Sequence, residues 1–192
     1  MSFLILGNAA DPLAARRVFL GQSGLLLSGA AVALLAGTDA LAAKSGTAAA
    51  SDIDILNKAL AAELEAIAAY HVGAQSGLLK KPALDLALTF QGHHGEHAGV
   101  LTRTIGKLGG RPVTAKEKYV FPTEKLKTQD DVLQFASGLE KGAVSAYLGA
   151  VPAFGNRDLA KAAASILGDE AMHWAILRNA LGEVPVPSAF VS

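Results

Sequence analysis

The sequence predicts an all-α protein: a bundle of four helices built from two repeated helical hairpins, with one longer crossover connection. Three observations predict it. Apolar residues recur at steps of three and four in four separate stretches, the signature of helices with one buried face. One constellation of residues is written twice, with an offset of 77 between the first and third stretches and of 76 between the second and fourth. Two short breaks and one long break separate the stretches, which suits two hairpins joined by a single crossover.

The spacing predicts the first helix over about 52–75, opened by the capping residues Ser51 and Asp52, with the stripe Leu56, Leu60, Glu63, Ile67, Tyr70. Gly77 and Pro82 punctuate the first gap. The second helix, about 82–108, carries Ala87, Phe90, His94, His97 and Leu101, and Gly109-Gly110-Arg111-Pro112 ends it. A polar stretch from Thr114 to Thr128 links the halves. The third helix, about 129–151, carries Leu133, Ala136, Glu140, Ala143 and Tyr147; Pro152 and Gly155 follow it. The fourth, about 156–181, carries Leu159, Ala163, Ile166, Glu170, His173 and Leu177, and Pro185-Val186-Pro187 cannot extend it. Val113 and Tyr119-Val120-Phe121 are too short and isolated to form strands. The exits repeat as well, Leu108-Gly109-Gly110-Arg111-Pro112-Val113 against Leu181-Gly182-Glu183-Val184-Pro185-Val186.

Residues 1–42 read as an address. Arg16-Arg17 precedes Val18-Phe19-Leu20, an apolar run continues to about Gly37, and Ala40-Leu41-Ala42 offers small residues where a signal peptidase reads them. The paired arginines resemble a twin-arginine (Tat) signal, which exports folded proteins. Gly21, Gln22, Ser23 and Gly24 interrupt the run and no basic cluster follows, so cleavage near Ala42 is expected rather than a stable membrane anchor. Residues 43–51 read as a loose linker and 52–192 as the bundle. A domain of that size buries roughly 70% of its chain surface, enough for one core.

Composition narrows the chemistry. The 17 basic residues balance 17 acidic ones, which argues against a nucleic-acid footprint or a polybasic membrane patch. The chain has no cysteine, so disulfides, thiolate metal sites and cysteine nucleophiles are excluded.

What remains informative is the middle of each stripe, where an apolar residue belongs and an ionisable one stands. Glu63, His94, His97, Glu140, Glu170 and His173 all occupy seam positions. A lone buried carboxylate costs several kcal/mol of desolvation unless compensated. Six such groups are tolerable if they converge on cations, which supply positive charge and keep imidazoles neutral. The six are therefore candidate metal ligands. Glu65 lies off the stripe and reads as solvated. His93 and Glu96 flank the stripe, either orienting ligands or simply solvated; with the helix rotated, His93 and His97 become the metal pair. Tyr70 and Tyr147 read as core aromatics whose hydroxyls can bond a ligand carboxylate. His71 and Trp174 carry no pattern.

At these positions the chain resembles the ferritin-like superfamily of di-iron and di-manganese carboxylate proteins. Their pattern is one Glu from each of two helices and Glu-x-x-His from each of the other two. Glu63 and Glu140 match the single glutamates, and Glu170-Ala171-Met172-His173 matches one Glu-x-x-His. His94-Gly95-Glu96-His97 takes the place of the other, with His94 where the pattern has Glu. The whole mature chain takes part, and it is most similar to exported bacterial ferritin-like proteins, a group that includes desiccation-associated relatives.

The resemblance implies two iron or manganese ions in the bundle core, with zinc less favoured, and a reaction with oxygen or peroxide. The expected partners are metal ions and the Tat translocase, with homo-oligomers open, and the expected location is periplasmic or secreted. A non-catalytic scaffold for stress protection or metal sequestration is the alternative. A mineral-storing cage is a third, against which the lack of an acidic surface speaks.

Overall fold

The computed structural model describes residues 46–191, side chains from Ala49 onward. The expected signal segment, 1–42, lies outside the described residues. Four helices form: α1 (Gly46–Gln75), α2 (Lys81–Lys107), α3 (Gln129–Ala150) and α4 (Arg157–Ala180), with short 3-10 turns at Thr123–Lys125 and Val151–Ala153. No strand occurs among the described residues. None of the described helices is long and apolar enough to cross a membrane.

The predicted elements fall close to their expected bounds, with one difference. α1 begins at Gly46, so the described part of the expected linker, 46–51, is helical. Its Ala48-Ala49-Ala50 run has high helix propensity and no residue there breaks the pattern. Asp52 consequently does not cap its own helix. Its buried carboxylate accepts from the backbone N–H groups of Gly155 (2.8 Å) and Asn156 (3.0 Å), at the entrance to α4.

The other boundaries have local causes. Pro82 sits in the first turn of α2, where its missing N–H costs nothing. α3 opens with a capping box: Thr128 Oγ1 accepts from Asp131 N (3.2 Å), and Asp131 accepts from Thr128 N (2.8 Å). Asn156 caps α4 by accepting from Asp158 N (2.8 Å). α2 and α4 end alike, with Gly109 (φ 79°) and Gly182 (φ 74°) in the left-handed conformation that closes a helix. The next N–H then bonds back, Gly110 to Ile105 O and Glu183 to Arg178 O, both at 2.9 Å.

Two cross-hairpin hydrogen bonds fix the topology. Tyr147 meets Glu63 and Tyr70 meets Glu140, so α1 and α3 run antiparallel. Since α1 is also antiparallel to α2, helices α2 and α3 run the same way. The 108–128 connection must therefore climb the bundle, about 40 Å for a helix of this length. An extended chain of that many residues reaches more than about 60 Å, so the climb leaves slack. The lower end is pinned: Asn57 donates to Arg111 O (3.2 Å) and accepts from Val113 N (2.8 Å). Gly110 passes so close that a Cβ there would lie 2.8 Å from Ile53 and 2.9 Å from Ile105. Further along, Phe121 packs edge-on against Phe135.

The core is layered. Leu56, Leu60, Leu101, Ile105 and Leu159 fill one end; Ala87, Phe90, Leu133, Ala136 and Leu177 fill the other. Between them lies a buried ionisable layer.

Candidate metal centre

Every helix contributes to that layer. α1 supplies Glu63, α2 supplies His94 and His97, α3 supplies Glu140, and α4 supplies Glu170 and His173. All are buried except His97, which is mostly covered. The structure thus brings together all six residues that the stripes single out.

They form two overlapping groups of four: Glu63, His94, His97 and Glu170, and His94, Glu140, Glu170 and His173. Within each group one ligand atom per residue lies within 4.8 Å of every other. His94 and Glu170 belong to both. His94 Nδ1 lies 2.8 Å from Glu63 Oε2 and its Nε2 lies 3.3 Å from Glu140 Oε1. His97 Nδ1 lies 3.1 Å from Glu170 Oε1, and His173 Nδ1 lies 3.4 Å from Glu170 Oε2. Phe90 and Ala87 face the same interior as His94, which sets the rotation of α2 and makes His94, not His93, the inward residue.

The donor set fits cations. His97 Nδ1, His173 Nδ1, Glu140 Oε2 and both oxygens of Glu170 are buried without a hydrogen-bond partner. Some lie at ion-pair distance from one another but lack hydrogen-bond geometry. Each orphaned buried polar atom costs about 1–3 kcal/mol, and native structures hold few of them. Here they converge on the same two groups. The carboxylates present, Glu63, Glu140, Glu170 and Asp169, carry a charge that two divalent cations would neutralise while leaving the imidazoles uncharged.

Without cations the imidazoles must act as the positive charges. Burial disfavours charging His94, but Glu140, Glu63 and Glu170 outweigh it and push the ring up to about 9. Burial likewise opposes charging His97 and His173, and the surrounding carboxylates, Asp169 first, raise them to about 12 and about 11. For Glu63, burial favours the neutral acid, yet His94 and His97 hold it down at about 2. Glu140 and Asp169 are held well below the ordinary carboxylate range against the same desolvation, by His173 and His94 and by His173 and His97 respectively. Glu170 moves the other way, raised by burial despite His173 and His97.

The tyrosines clasp the carboxylates crosswise. Tyr70 of the first hairpin donates to Glu140 of the second; Tyr147 of the second donates to Glu63 of the first (2.6 Å). Burial, then the adjacent carboxylates, raise both phenols and keep them as donors.

The sequence pattern missed Asp169. Its Oδ2 lies 3.3 Å from His173 Nε2, 3.4 Å from His97 Nε2 and 3.3 Å from His93 Nδ1. It thus holds the outer nitrogens of His97 and His173, the arrangement that orients metal-binding imidazoles. Its i, i+4 spacing to His173 was the available signal. Glu65 and Glu96 stay out of the cluster, one half-buried and one exposed. His71 is exposed, and Trp174 lies between Lys141 and Arg178 at the surface.

Comparisons with known proteins agree with this architecture. Among solved structures, the fold is similar to a conserved hypothetical protein, rv2844, from Mycobacterium tuberculosis (TM-score 0.65, 21% identity, 74% of this chain and 99% of that one). It is also similar to a ferritin-like, diiron-carboxylate protein from Bacillus anthracis str. Ames (TM-score 0.61, 24% identity, 72% of this chain and 99% of that one). At these identities the likeness is one of fold. None of the curated proteins matches the sequence significantly. The family profile described as Ferritin-like domain matches residues 51–183, and on that match the chain belongs to the ferritin-like domain family.

Proposed function

We propose that this protein is exported through the Tat route and binds two iron or manganese ions at Glu63, His94, His97, Glu140, Glu170 and His173, reacting with oxygen or peroxide. The observation that carries the metal reading is the set of orphaned imidazole and carboxylate atoms converging in a buried layer. The diiron-carboxylate neighbour supports the choice of a redox-active metal. Mixed carboxylate and imidazole donors suit iron and manganese, and zinc less closely by the same analogy.

When bound, such a pair supplies the electrons for reducing oxygen or peroxide. The chain's own residues do the rest. Glu63 and Glu140 bring charge, and Tyr147 and Tyr70 fix their orientation through hydroxyl donation. Asp169 holds the Nε2 edges of His97 and His173, leaving each Nδ1 facing Glu170. The apolar layers above and below exclude bulk water.

The departure at His94 favours a second function, metal sequestration or a protective scaffold without turnover, because an imidazole cannot bridge two ions as a carboxylate does. Metal analysis of the purified full-length chain beside Glu63→Ala and His173→Ala tests the centre. Two ions in the parent and loss in both variants are expected; a parent that takes up no transition metal refutes the reading. Oxygen or peroxide consumption by the loaded protein separates catalysis from sequestration. Export rests on Arg16-Arg17: replacing both with Lys should retain the chain in the cytoplasm, and unchanged periplasmic recovery would refute it.

A further inference from the structure

Asp169 and its neighbours raise a question that the buried centre does not answer, namely how a cation reaches it. Glu63, His94, Glu140, Glu170 and His173 are all closed to solvent. Outside them lies another group with ligand atoms close enough for a metal: His93, Asp169 and His173. His93 Nδ1 lies 2.8 Å from His173 Nε2, and Asp169 Oδ2 lies 3.3 Å from each of those nitrogens. The side chains form a gradient of exposure, 41% for His93, 23% for Asp169, 14% for His97 and 2% for His173. The Phe90 ring stacks on His173 at 4.0 Å and walls the inner end.

His173 belongs to both groups, and its chemistry decides how they relate. Its Nδ1 faces Glu140 and Glu170; its Nε2 faces Asp169 and His93. A neutral imidazole has one ring nitrogen free to bind and one that carries a proton. His173 therefore serves inward or outward, not both at once. While the inner position beside His173 is empty, an incoming cation completes the outer trio by displacing the proton on Nε2. Once that position is filled, Nε2 carries the proton and the trio becomes a hydrogen-bonded brace.

We propose that His93, Asp169 and the Nε2 edge of His173 form a transient outer site for a divalent transition-metal ion, the first contact on its way to the buried centre. The inference rests on the core being a metal centre. It assigns His93 a role that the inner groups do not need.

Cobalt(II), followed by its ligand-field absorption, is a suitable probe. The metal-free full-length chain and its His93→Ala variant are mixed with cobalt, and bound metal is counted at equilibrium. Two ions in each protein are expected, with uptake slowed roughly tenfold in the variant, on the scale of losing one partner around a metal. His93→Asp, which restores a ligand oxygen, should recover much of the rate, and His71→Ala should leave it unchanged. Equal uptake rates with two ions bound would overturn the inference and leave the core reading intact. A third ion in the parent that His93→Ala loses would also overturn it, since the outer site would then be permanent. Cobalt bound by neither protein would overturn the core reading, and this inference with it.

Discussion

The two halves of the centre are related by a repeated sequence but are not chemically equivalent. Glu63 and His97 line one half, Glu140 and His173 the other, and His94 and Glu170 occupy matching positions between them. Glu170 turns two unpartnered oxygens to the interior, one near His97 and one near His173. A carboxylate in that position serves both halves. His94 also reaches both, with Nδ1 at Glu63 and Nε2 at Glu140. Once neutral it has one free nitrogen and serves one half only. A duplicated hairpin thus supplies a symmetric frame; among the six ligands His94 alone departs from the repeat, and outside them His93 stands where the second copy has Asp169.

The largest effect is expected at the shared carboxylate. Glu170→Gln should weaken binding at both positions, by roughly a hundredfold, as losses around a metal do. Metal counting by mass spectrometry checks it. His94→Glu restores the repeat and should bring the two stepwise affinities to within about tenfold of each other, as the loss of a single ligand difference implies. Calorimetric titration reads the two steps. Unchanged steps would show that His94 is not the source of inequality.

The pH dependence sharpens the comparison between empty and filled states. Glu63, held at about 2 against an ordinary 4.5, contributes stability above 4.5 that is lost as pH falls through 2. His94, raised from 6.5 to about 9, contributes stability below 6.5 that is lost as pH rises through 9. The metal-free form should therefore be most stable between 4.5 and 6.5 and weaken on both sides. Metal binding must displace the imidazole protons, so affinity should rise with pH over the range where the empty form weakens. Thermal unfolding with and without metal across pH 4–9 checks both slopes.

The smallest effects belong to the clasps. Tyr70→Phe and Tyr147→Phe each remove one donor to a buried carboxylate and should cost about 1–3 kcal/mol of metal-free stability. The losses should be similar if the frame is symmetric. A marked difference, read by denaturant unfolding, would show that the inequality extends beyond His94.

Much of this was legible from the residues themselves. Ionisable groups on an otherwise apolar seam are conspicuous, and the repeat places them at equivalent heights, so the fold and the six converging residues follow from spacing. The histidine cluster on α2 was open by one step, because His93, His94 and His97 fit two rotations of the helix. Packing of Ala87 and Phe90 settles that. Asp169 sits one step off its stripe and, beyond His173 on its own helix, acquires His97 and His93 only when α2 packs beside α4. Asp52 looked like the cap of its own helix. It instead serves backbone groups more than a hundred residues away, a relation that no local pattern carries.

The climbing connection has a consequence of its own. Residues 114–118 are exposed, and none of the 108–128 segment enters the centre. A protease cut there would leave two fragments, each bearing half of the donor set and one tyrosine that grips the other's glutamate. Such fragments are what two copies of one ancestral hairpin would have brought to a symmetric dimer. Cleavage within that strap should therefore yield a nicked but still associated particle, held together by the clasps and, when present, by the ions between its halves.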